Sequence, residues 1–310
     1  MKTTTTGAVA LALASALALS ACGSDSSGGD PLSGGGDSAS KAPSDTIVVG
    51  SANFPESELI MDIYAGALKA KGVKVSTKPN IGSRETYIPA LQDGSIDLVP
   101  EYTGVLDQYF NKSAKATTSD EVYTELKSSL PSTLEVLDKS AAEDKDGVVV
   151  SSDTASKYNL KSIADLAPVA KDLVLGGPPE WKTRETGVPG LKKVYGLEFK
   201  EFKSLDAGGP LTVNALKNGQ IQAANLFTTD PNIPANNFVV LEDPKSLFAA
   251  QNVVPLITKS KSSDTVSSAL NAVSAKLDTT TLASLVKEVV IDKKDASAVA
   301  QEFLSKNSLG

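Results

Sequence analysis

Residues 90–103 read ALQDGSIDLVPEYT, and residues 215–228 read ALKNGQIQAANLFT. The two segments share the pattern Ala-Leu-x-x-Gly-x-Ile at an offset of 125 residues, and each continues to an aromatic residue followed by threonine. A helix that ends at a glycine and leads into a strand is a common connection, so the short match has that simpler interpretation too. Because both copies fall at the same place in similar strand and helix patterns, the repeat favours two related α/β lobes.

Strand-like and helix-like segments alternate around each copy of the repeat. The predicted strands, which are short apolar runs, are 46–50, 73–77, 96–99, 173–175, 198–202 and 221–224. The predicted helices are 55–71, 84–92, 188–195, 211–217 and three more between 263 and 308. This order predicts an α/β fold with two Rossmann-like lobes, each built on a mostly parallel sheet covered by helices.

Two crossover segments, 146–151 (DGVVVS) and 251–257 (QNVVPLI), are expected to join the lobes. Lobe 1 then comprises residues 46–147 and 253–310, and lobe 2 comprises residues 148–252. Ligands of such sheets bind outside the carboxyl ends of the strands, and pockets are common between domains. The expected binding site is therefore a cleft between the two lobes.

The composition excludes several kinds of chemistry. The chain of 310 residues has 30 basic and 37 acidic side chains, a formal net charge of −7, no histidine and one cysteine. It cannot form an intrachain disulfide, a zinc site of cysteine and histidine, or a Ser-His-Asp triad. Nucleic acid is not an expected partner, because phosphate binding needs clustered lysine and arginine. We expect no metal, no cofactor and no catalytic residue, and we expect a monomer.

The N-terminus has the pattern of an export signal. Residues 1–21 carry one charge, and their apolar stretch at 7–19 is shorter than the about 20 residues that a transmembrane helix needs. The segment LSAC at 19–22 resembles a bacterial lipobox, in which the cysteine is lipidated; a plain signal peptide with a chance cysteine is the alternative. Residues 22–45, rich in glycine and serine, predict a flexible linker. We therefore expect attachment through Cys22 to the outer face of the cytoplasmic membrane.

The loops at the carboxyl ends of the predicted strands supply the candidate ligand-binding residues. Tyr102 and Phe227 would present aromatic faces from opposite lobes, and Trp181 lies in a third loop; such faces attract cations, including quaternary ammonium groups. Arg184 is suited to holding a carboxylate. The candidates from these loops are Ser51, Asn53, Tyr102, Thr103, Trp181, Arg184, Phe227 and Thr228. Simpler roles stay open, with the aromatic residues in hydrophobic packing and Arg184 paired to a neighbouring glutamate.

Longer motifs resemble a known family. The segments IVVGSANFPESELIMDIYAGAL (47–68), DGSIDLVPEYTGV (93–105), LTVNALKNGQIQAANLFTTDPNI (211–233) and FVVLEDPKSLFAAQNVVPLI (238–257) are similar to osmoprotectant-binding proteins of ABC importers, whose solutes are glycine betaine, choline and carnitine. The resemblance runs over residues 46–310. It implies a type II periplasmic-binding-protein fold that closes on its ligand, and an ABC permease as the partner.

The resemblance also implies roles for single residues. Tyr102 matches the tyrosine of the family's PEYTG motif, which is one wall of an aromatic cage, and Phe227 stands where a second cage tyrosine is usual. Gln251 and Asp146 correspond to two further cage tyrosines, and Ala52 replaces a lysine. A carboxylate at Asp146 would favour a cationic ligand, and Gln251 would add hydrogen bonding, so the departures put glycine betaine itself in question.

Together these features predict an exported, membrane-anchored solute receptor of an ABC importer, and not an enzyme. The expected ligand is a small quaternary amine such as glycine betaine, choline or carnitine, and solute binding would favour the closed form that the permease recognises. A binder of another small polar solute, such as an amino acid, a polyol or another amine, is the alternative of the same class. An exported enzyme would need two converging carboxylates, for which Glu101 and Asp230 are the candidates.

Overall fold

The structure, a computed structural model, describes residues 45–310. The predicted signal segment, Cys22 and all but the last residue of the predicted linker lie outside the described residues. Within residues 45–310, no helix is both long enough and apolar enough to span a bilayer.

Ten strands and eleven α-helices form the described part of the chain. The strands are β1 (Ile47–Gly50), β2 (Val75–Lys78), β3 (Leu98–Tyr102), β4 (Leu134–Val136), β5 (Asp146–Ser151), β6 (Val174–Gly177), β7 (Glu201–Ser204), β8 (Ala223–Phe227), β9 (Phe238–Val240) and β10 (Val253–Thr258). The helices are α1 (Pro55–Ala70), α2 (Arg84–Gln92), α3 (Thr103–Phe110), α4 (Ser119–Ser129), α5 (Ser152–Tyr158), α6 (Val188–Tyr195), α7 (Pro210–Lys217), α8 (Asn232–Ala235), α9 (Asp264–Ser274), α10 (Thr279–Val290) and α11 (Ala296–Lys306).

The strands form two five-stranded sheets of the same design. The first has the order β2-β1-β3-β10-β4 and defines lobe 1, and the second has the order β7-β6-β8-β5-β9 and defines lobe 2. In each sheet one strand, β10 or β5, runs antiparallel to both of its neighbours, and the other four share one direction. Each antiparallel strand is the one that the chain enters on arriving from the other lobe. The predicted α/β fold of two mostly parallel lobes is confirmed.

The chain passes between the lobes just before β5 and just before β10. Residues 143–145 form the first crossover and residues 249–252 form the second, and an antiparallel bridge joins Glu143 to Asn252. The N–H of Asp144 donates to the carbonyl oxygen of Gln251 at 3.1 Å. The segments predicted as crossovers are therefore mostly the strands β5 and β10, and the passage itself is shorter than predicted.

The repeat that predicted two lobes runs from α2 to β3 in lobe 1 and from α7 to β8 in lobe 2. Gly94 and Gly219 follow these helices with φ angles of +77° and +68°. This left-handed region is open to glycine but costly for residues that carry a Cβ. After each glycine the chain turns into a central strand whose residues are nearly all buried. The two copies therefore occupy equivalent places in the two sheets.

Each lobe buries its sheet between two layers of helices. In lobe 1, α1 and the three C-terminal helices cover one face of the sheet, and α2, α3 and α4 cover the other. In lobe 2, Val148 and Val150 pack on one side of β5 and Val149 packs on the other, as successive strand residues must. Burying one such side chain contributes about 1.5–3 kcal/mol, so the two cores hold the strand ends and their loops in place.

The sequence pattern missed some short elements. The edge strands β4 and β9 contain three residues each, which is too short for an alternating pattern to be recognised. The predicted strand at 198–202 begins instead at Glu201, whereas helix α2 and the three C-terminal helices fall where the pattern placed them.

Candidate functional site

The loops at the carboxyl ends of the strands face each other across a cleft between the lobes. The cleft encloses a cavity of about 60 Å³. Its lining residues, which come from both lobes and both crossovers, are Ala52, Asn53, Phe54, Ser83, Arg84, Tyr87, Pro100, Tyr102, Val105, Asp144, Asp146, Pro178, Glu180, Arg184, Ala207, Asn225, Phe227 and Gln251. Six of the ten residues predicted to bind a ligand line this cavity, namely Asn53, Tyr102, Asp146, Arg184, Phe227 and Gln251.

Three aromatic rings form one wall of the cavity. Phe54, in the loop between β1 and α1, lies against Phe227 of lobe 2 with ring centroids 5.2 Å apart and an interplanar angle of 30°. The Phe54 and Tyr102 centroids are 6.1 Å apart. Tyr102 and Phe227 thus meet through Phe54, which sequence reasoning placed in a cleft loop but did not select. The wall joins both lobes, and aromatic rings of this kind can stabilise a cation.

A buried ion pair lies in the lobe 1 wall of the cavity. Arg84 donates from Nε and Nη2 to the two carboxylate oxygens of Glu101, both at 2.7 Å. Glu101 also accepts the hydroxyl of Tyr87 at 2.7 Å and the N–H of Tyr102 at 2.9 Å. Burial disfavours the charged guanidinium, but the adjacent carboxylate outweighs this and raises the pKa of Arg84 above its ordinary value. The charge of Arg84 is therefore already neutralised where it reaches the cavity.

Two carboxyl groups meet in the interior where the lobes join. Glu56, in the first turn of α1, accepts the hydroxyl of Tyr102 and the hydroxyl of Thr229, both at 2.6 Å. Asp144, in the first crossover, accepts the N–H of Thr229 at 2.9 Å. Burial raises the pKa of both carboxyls, and the neighbouring charge of Glu56 raises that of Asp144 further. The two hydroxyl donors favour the ionised form of Glu56, and the charge of Glu56 favours the protonated form of Asp144.

Asp146, Asn225 and Gln251 supply polar side chains to the same cavity, and these three residues are called the polar corner. The Asn225 side-chain amide donates to Oδ1 of Asp146 at 2.9 Å, and β5 pairs with β8 so that Asp146 lies opposite Phe227. Gln251, in the second crossover, lines the same cavity. Two of the residues were predicted from the sequence and Asn225 was not, although it stands two positions before Phe227 on the same strand.

Arg184 connects the lobes instead of pointing to a free carboxylate site. It donates from Nε and Nη2 to the two oxygens of Glu85 in α2, at 3.0 and 2.8 Å. Burial favours the neutral carboxyl, but the hydrogen bonds from Arg184 prevail and lower the pKa of Glu85 to about 2. The sequence suggested a nearby glutamate as an alternative partner, and the partner is a glutamate of the opposite lobe.

Three of the predicted polar residues support the site without lining it. The hydroxyl of Thr103 donates to the carbonyl of Ala250 at 3.2 Å and accepts the N–H of Asn252 at 3.0 Å, which fastens the second crossover. The hydroxyl of Thr228 accepts the N–H of Lys145 at 2.8 Å, which fastens the first. Ser51 accepts the N–H of Asn80 at 2.9 Å within lobe 1. These side chains are occupied with backbone groups.

Trp181 is the clearest departure from the sequence-based expectation. Its side chain is fully buried in the core of lobe 2 and lies against Phe248, with ring centroids 6.1 Å apart. The short 3-10 helix Pro179–Lys182 turns the indole inward, so that Glu180 and not Trp181 lines the cavity. We correct the expectation that Trp181 presents a face to the ligand.

A larger cavity of about 280 Å³ adjoins the cleft and shares the Phe54 and Phe227 rings with it. It is lined largely by apolar side chains, among them Val286 and Val289 of α10. We take the smaller cavity as the candidate site because the polar and charged residues at the strand ends converge there.

Asp230 lines the larger cavity while Glu101 is paired with Arg84, so these two acids do not form the pair that a glycosidase would need. Within residues 45–310, no three acidic or thiol side chains converge to hold a metal ion.

Several site residues were missed because their partners are distant in sequence. Glu56 and Arg84 lie in the first turns of α1 and α2, where charged residues are usually exposed. The sequence contains one indication that Arg84 belongs to the site, which is the rarity of arginine. The chain contains only two arginines among its 30 basic residues, and both Arg84 and Arg184 line the cleft.

Comparisons with known proteins agree with this architecture. Residues 45–306 match the family described as the substrate binding domain of ABC-type glycine betaine transport systems. The carnitine transport binding protein OpuCC of Listeria monocytogenes is 28% identical, over 96% of this chain and 94% of that protein. The ergothioneine transport permease/ergothioneine binding protein EgtU of Helicobacter pylori is 25% identical, over 85% of this chain and 48% of that protein.

A solved structure of a glycine betaine/carnitine/choline ABC transporter has the same fold. It covers 85% of this chain and 99% of its own, with 24% identity and a TM-score of 0.67. Its likeness confirms the two-lobed type II periplasmic-binding-protein fold. Proteins of this kind are the extracytoplasmic components of ABC importers, which bind a small solute and work with a permease. On the match over residues 45–306, the chain belongs to the family of substrate-binding domains of ABC-type glycine betaine transport systems.

Proposed function

We propose that this chain binds a small organic cation of the osmoprotectant class between its lobes and delivers it to the permease of an ABC importer. The observation that carries the proposal is the lining of the cavity, in which three aromatic side chains from both lobes occur together with the carboxylate of Asp146. Aromatic faces and carboxylates both stabilise positive charge. Carnitine, the named solute of one relative, contains a quaternary ammonium group, whose positive charge such a lining would stabilise.

The charge balance of the cavity supports a cation over an anion. Arg84 is neutralised by Glu101, and Arg184 is paired with Glu85. Asp146 forms no ion pair with a lysine or arginine of residues 45–310. A cationic solute would supply the charge that this carboxylate lacks.

Contacts across the cleft support binding by closure of the lobes. Arg184 bonds to Glu85, Thr229 bonds to Glu56, and the rings of Phe54 and Phe227 meet. The cavity of about 60 Å³ is well below the roughly 300 Å³ of a typical small-molecule site. A solute therefore enters when the lobes separate, and a solute that touches both lobes favours the closed form.

The proposal is tested by titration calorimetry with glycine betaine, choline, carnitine, other amines, amino acids and polyols. We expect at least one cation to bind, and we expect Tyr102→Ala and Phe227→Ala each to weaken its binding at least tenfold through loss of a ring face. Tyr158→Ala, a change of the same kind on helix α5 outside the cleft, is the control. Binding only of an uncharged polyol or of an anion, or unchanged affinity in both cleft variants, would contradict the proposal.

We also propose that the protein acts as a monomer that is anchored by a lipid on Cys22. The LSAC segment at 19–22 and the glycine- and serine-rich residues 22–45 support the lipid anchor. In a bacterial host, the unaltered chain should fractionate with the membrane and Cys22→Ser should not. An unchanged membrane fraction in Cys22→Ser would exclude the anchor and leave solute binding untouched.

A further inference from the structure

The polar corner of the cleft contains buried atoms without hydrogen-bond partners. Asn225 is 1% exposed and Gln251 is 2% exposed. Among the described residues, neither Oδ1 of Asn225 nor Nε2 of Gln251 has a partner. Buried polar groups in folded proteins are nearly always paired, and leaving one unpaired is costly. Two such atoms in residues that line one cavity indicate groups that a ligand would complete.

The orientation of the Asn225 amide follows from its neighbour. Asp146 as a carboxylate has only acceptor oxygens, so the amide must present its N–H to Oδ1, which it does at 2.9 Å. The amide oxygen is thereby turned away from Asp146 and stays an unused acceptor. Asp146 is cross-strand to Phe227, and Asn225 stands two residues before Phe227 on β8. Residues two apart share a face of a strand, so the carboxylate, the amide and the ring lie together.

The chemistry of the corner separates two kinds of cation. A fully methylated ammonium balances the charge of Asp146 but has no N–H, so the Asn225 oxygen stays unpaired after it binds. An ammonium, amidinium or guanidinium group with N–H donors balances the same charge. It can also donate hydrogen bonds to the carboxylate of Asp146 and to the amide oxygen of Asn225. The free N–H of Gln251 needs an acceptor in turn, which a hydroxyl or carboxylate oxygen of the solute provides.

We propose that the solute of this cleft is a cation with N–H donors that also carries an oxygen acceptor, rather than a fully methylated ammonium compound. This inference rests on the proposed function. Asp146 and Asn225 receive the N–H groups, Gln251 donates to the oxygen, and the aromatic wall covers the hydrocarbon part. Asp146, Asn225 and Gln251 are then the residues that determine specificity.

The test uses pairs of solutes that differ only in methylation. Ethanolamine is compared with choline, and sarcosine with glycine betaine, by titration calorimetry. We expect the member with N–H donors to bind at least tenfold more tightly in at least one pair, since an unpaired buried acceptor is costly. Asp146→Asn should weaken the preferred member at least tenfold, and Asp153→Asn, at an exposed acid of helix α5, should change nothing.

A second variant separates the amide from the charge. Asn225→Leu removes the unused acceptor together with the N–H bond to Asp146, so the preference between the two members of a pair should fall about tenfold. Thermal unfolding of each variant shows whether it is folded. A third variant, Gln251→Met, should weaken the binding only of solutes that carry an oxygen acceptor. Tighter binding of the methylated member in both pairs would overturn this inference and leave the proposed function standing. Binding of no cation of either kind would overturn both.

Discussion

The two copies of the repeat, residues 90–103 and 215–228, follow the same backbone path but bring different chemistry to the cleft. Both helices are followed by a glycine in the left-handed region, and both strands lead to a threonine that holds a crossover in place. Thr103 bonds to the second crossover and Thr228 to the first. The positions that match between the copies thus maintain the architecture, which is why the match revealed two lobes and not a ligand.

The copies differ most at the position before the aromatic residue. In the first copy this is Glu101, which is fully buried and holds Arg84, Tyr87 and the N–H of Tyr102. In the second copy it is Leu226, which packs in an apolar cluster of lobe 2. The equivalent strands β3 and β8 thus form with and without a carboxylate at this position. The role of the ion pair is to position Arg84 and Tyr102 in the wall of the cleft.

The largest effect is expected from breaking that pair. Arg84→Met leaves Glu101 buried without its cation and should lower the free energy of unfolding by about 3–5 kcal/mol. The double change Arg84→Met with Glu101→Leu gives the first copy the residue of the second and should recover most of that loss, because replacing a whole buried pair by apolar residues is often close to neutral. Chemical denaturation of the three proteins provides the measurement.

An exposed ion pair is the matched control for this experiment. Lys192 and Glu198 are paired at 2.7 Å with side chains that are 65% and 50% exposed, and Lys192→Met should leave stability nearly unchanged because water screens such pairs. If the double variant were as unstable as Arg84→Met alone, Glu101 would be needed for the strand itself, and the equivalence of the two copies would fail at this position.

The fold was largely predictable because it depends on local patterns. The Ala-Leu-x-x-Gly-x-Ile match reports a helix, a left-handed glycine and a buried strand, all of which are set by neighbours in sequence. Helix α2 was placed at its observed bounds for that reason. The position of the crossovers was less accurate, since it depends on where two sheets pair and not on a pattern in one segment.

The lining of the cavity was predictable where a residue follows a strand end or matches a family motif. Tyr102 and Phe227 were predicted in this way, whereas Glu56 and Arg84 were not, because each is buried by a partner distant in sequence, such as Thr229 for Glu56. Trp181 shows the opposite error. It stands in a cleft loop, but the direction of its side chain is decided by the core of lobe 2, which a loop sequence does not reveal.

The two junctions between the lobes should differ in their response to pH. The second crossover is held by Thr103 through neutral bonds, but the first contains Asp144, whose pKa is raised by burial and by Glu56. Above pH of about 4, the unfolded chain releases this proton before the folded chain does. The free energy of unfolding should therefore fall as pH rises, by at most about 1.4 kcal/mol per pH unit for one proton, until Asp144 ionises in the folded protein.

Two variants separate this effect from the rest of the titration. Asp144→Asn keeps an oxygen acceptor for the N–H of Thr229 and removes the proton, so the decline with pH should become shallower. Asp138→Asn, at an exposed acid just before the same crossover, should leave the slope as it is. Denaturation midpoints between pH 4 and 8 give the slopes, and identical slopes for Asp144→Asn and the unaltered chain would show that Asp144 does not hold the proton.

The smallest effect compares the two glycines that the copies share. At both Gly94 and Gly219 an added Cβ would meet no atom within 4 Å, so the left-handed backbone is the only cost of alanine. That cost is about 1–2 kcal/mol, partly offset because alanine also restricts the unfolded chain. Gly94→Ala and Gly219→Ala should each destabilise by about 1 kcal/mol and by the same amount within error. Asparagine tolerates this region better, so Gly94→Asn and Gly219→Asn should lose less than the alanine variants. A large difference between the two lobes would mean that the matching sequence at these turns conceals a difference in packing.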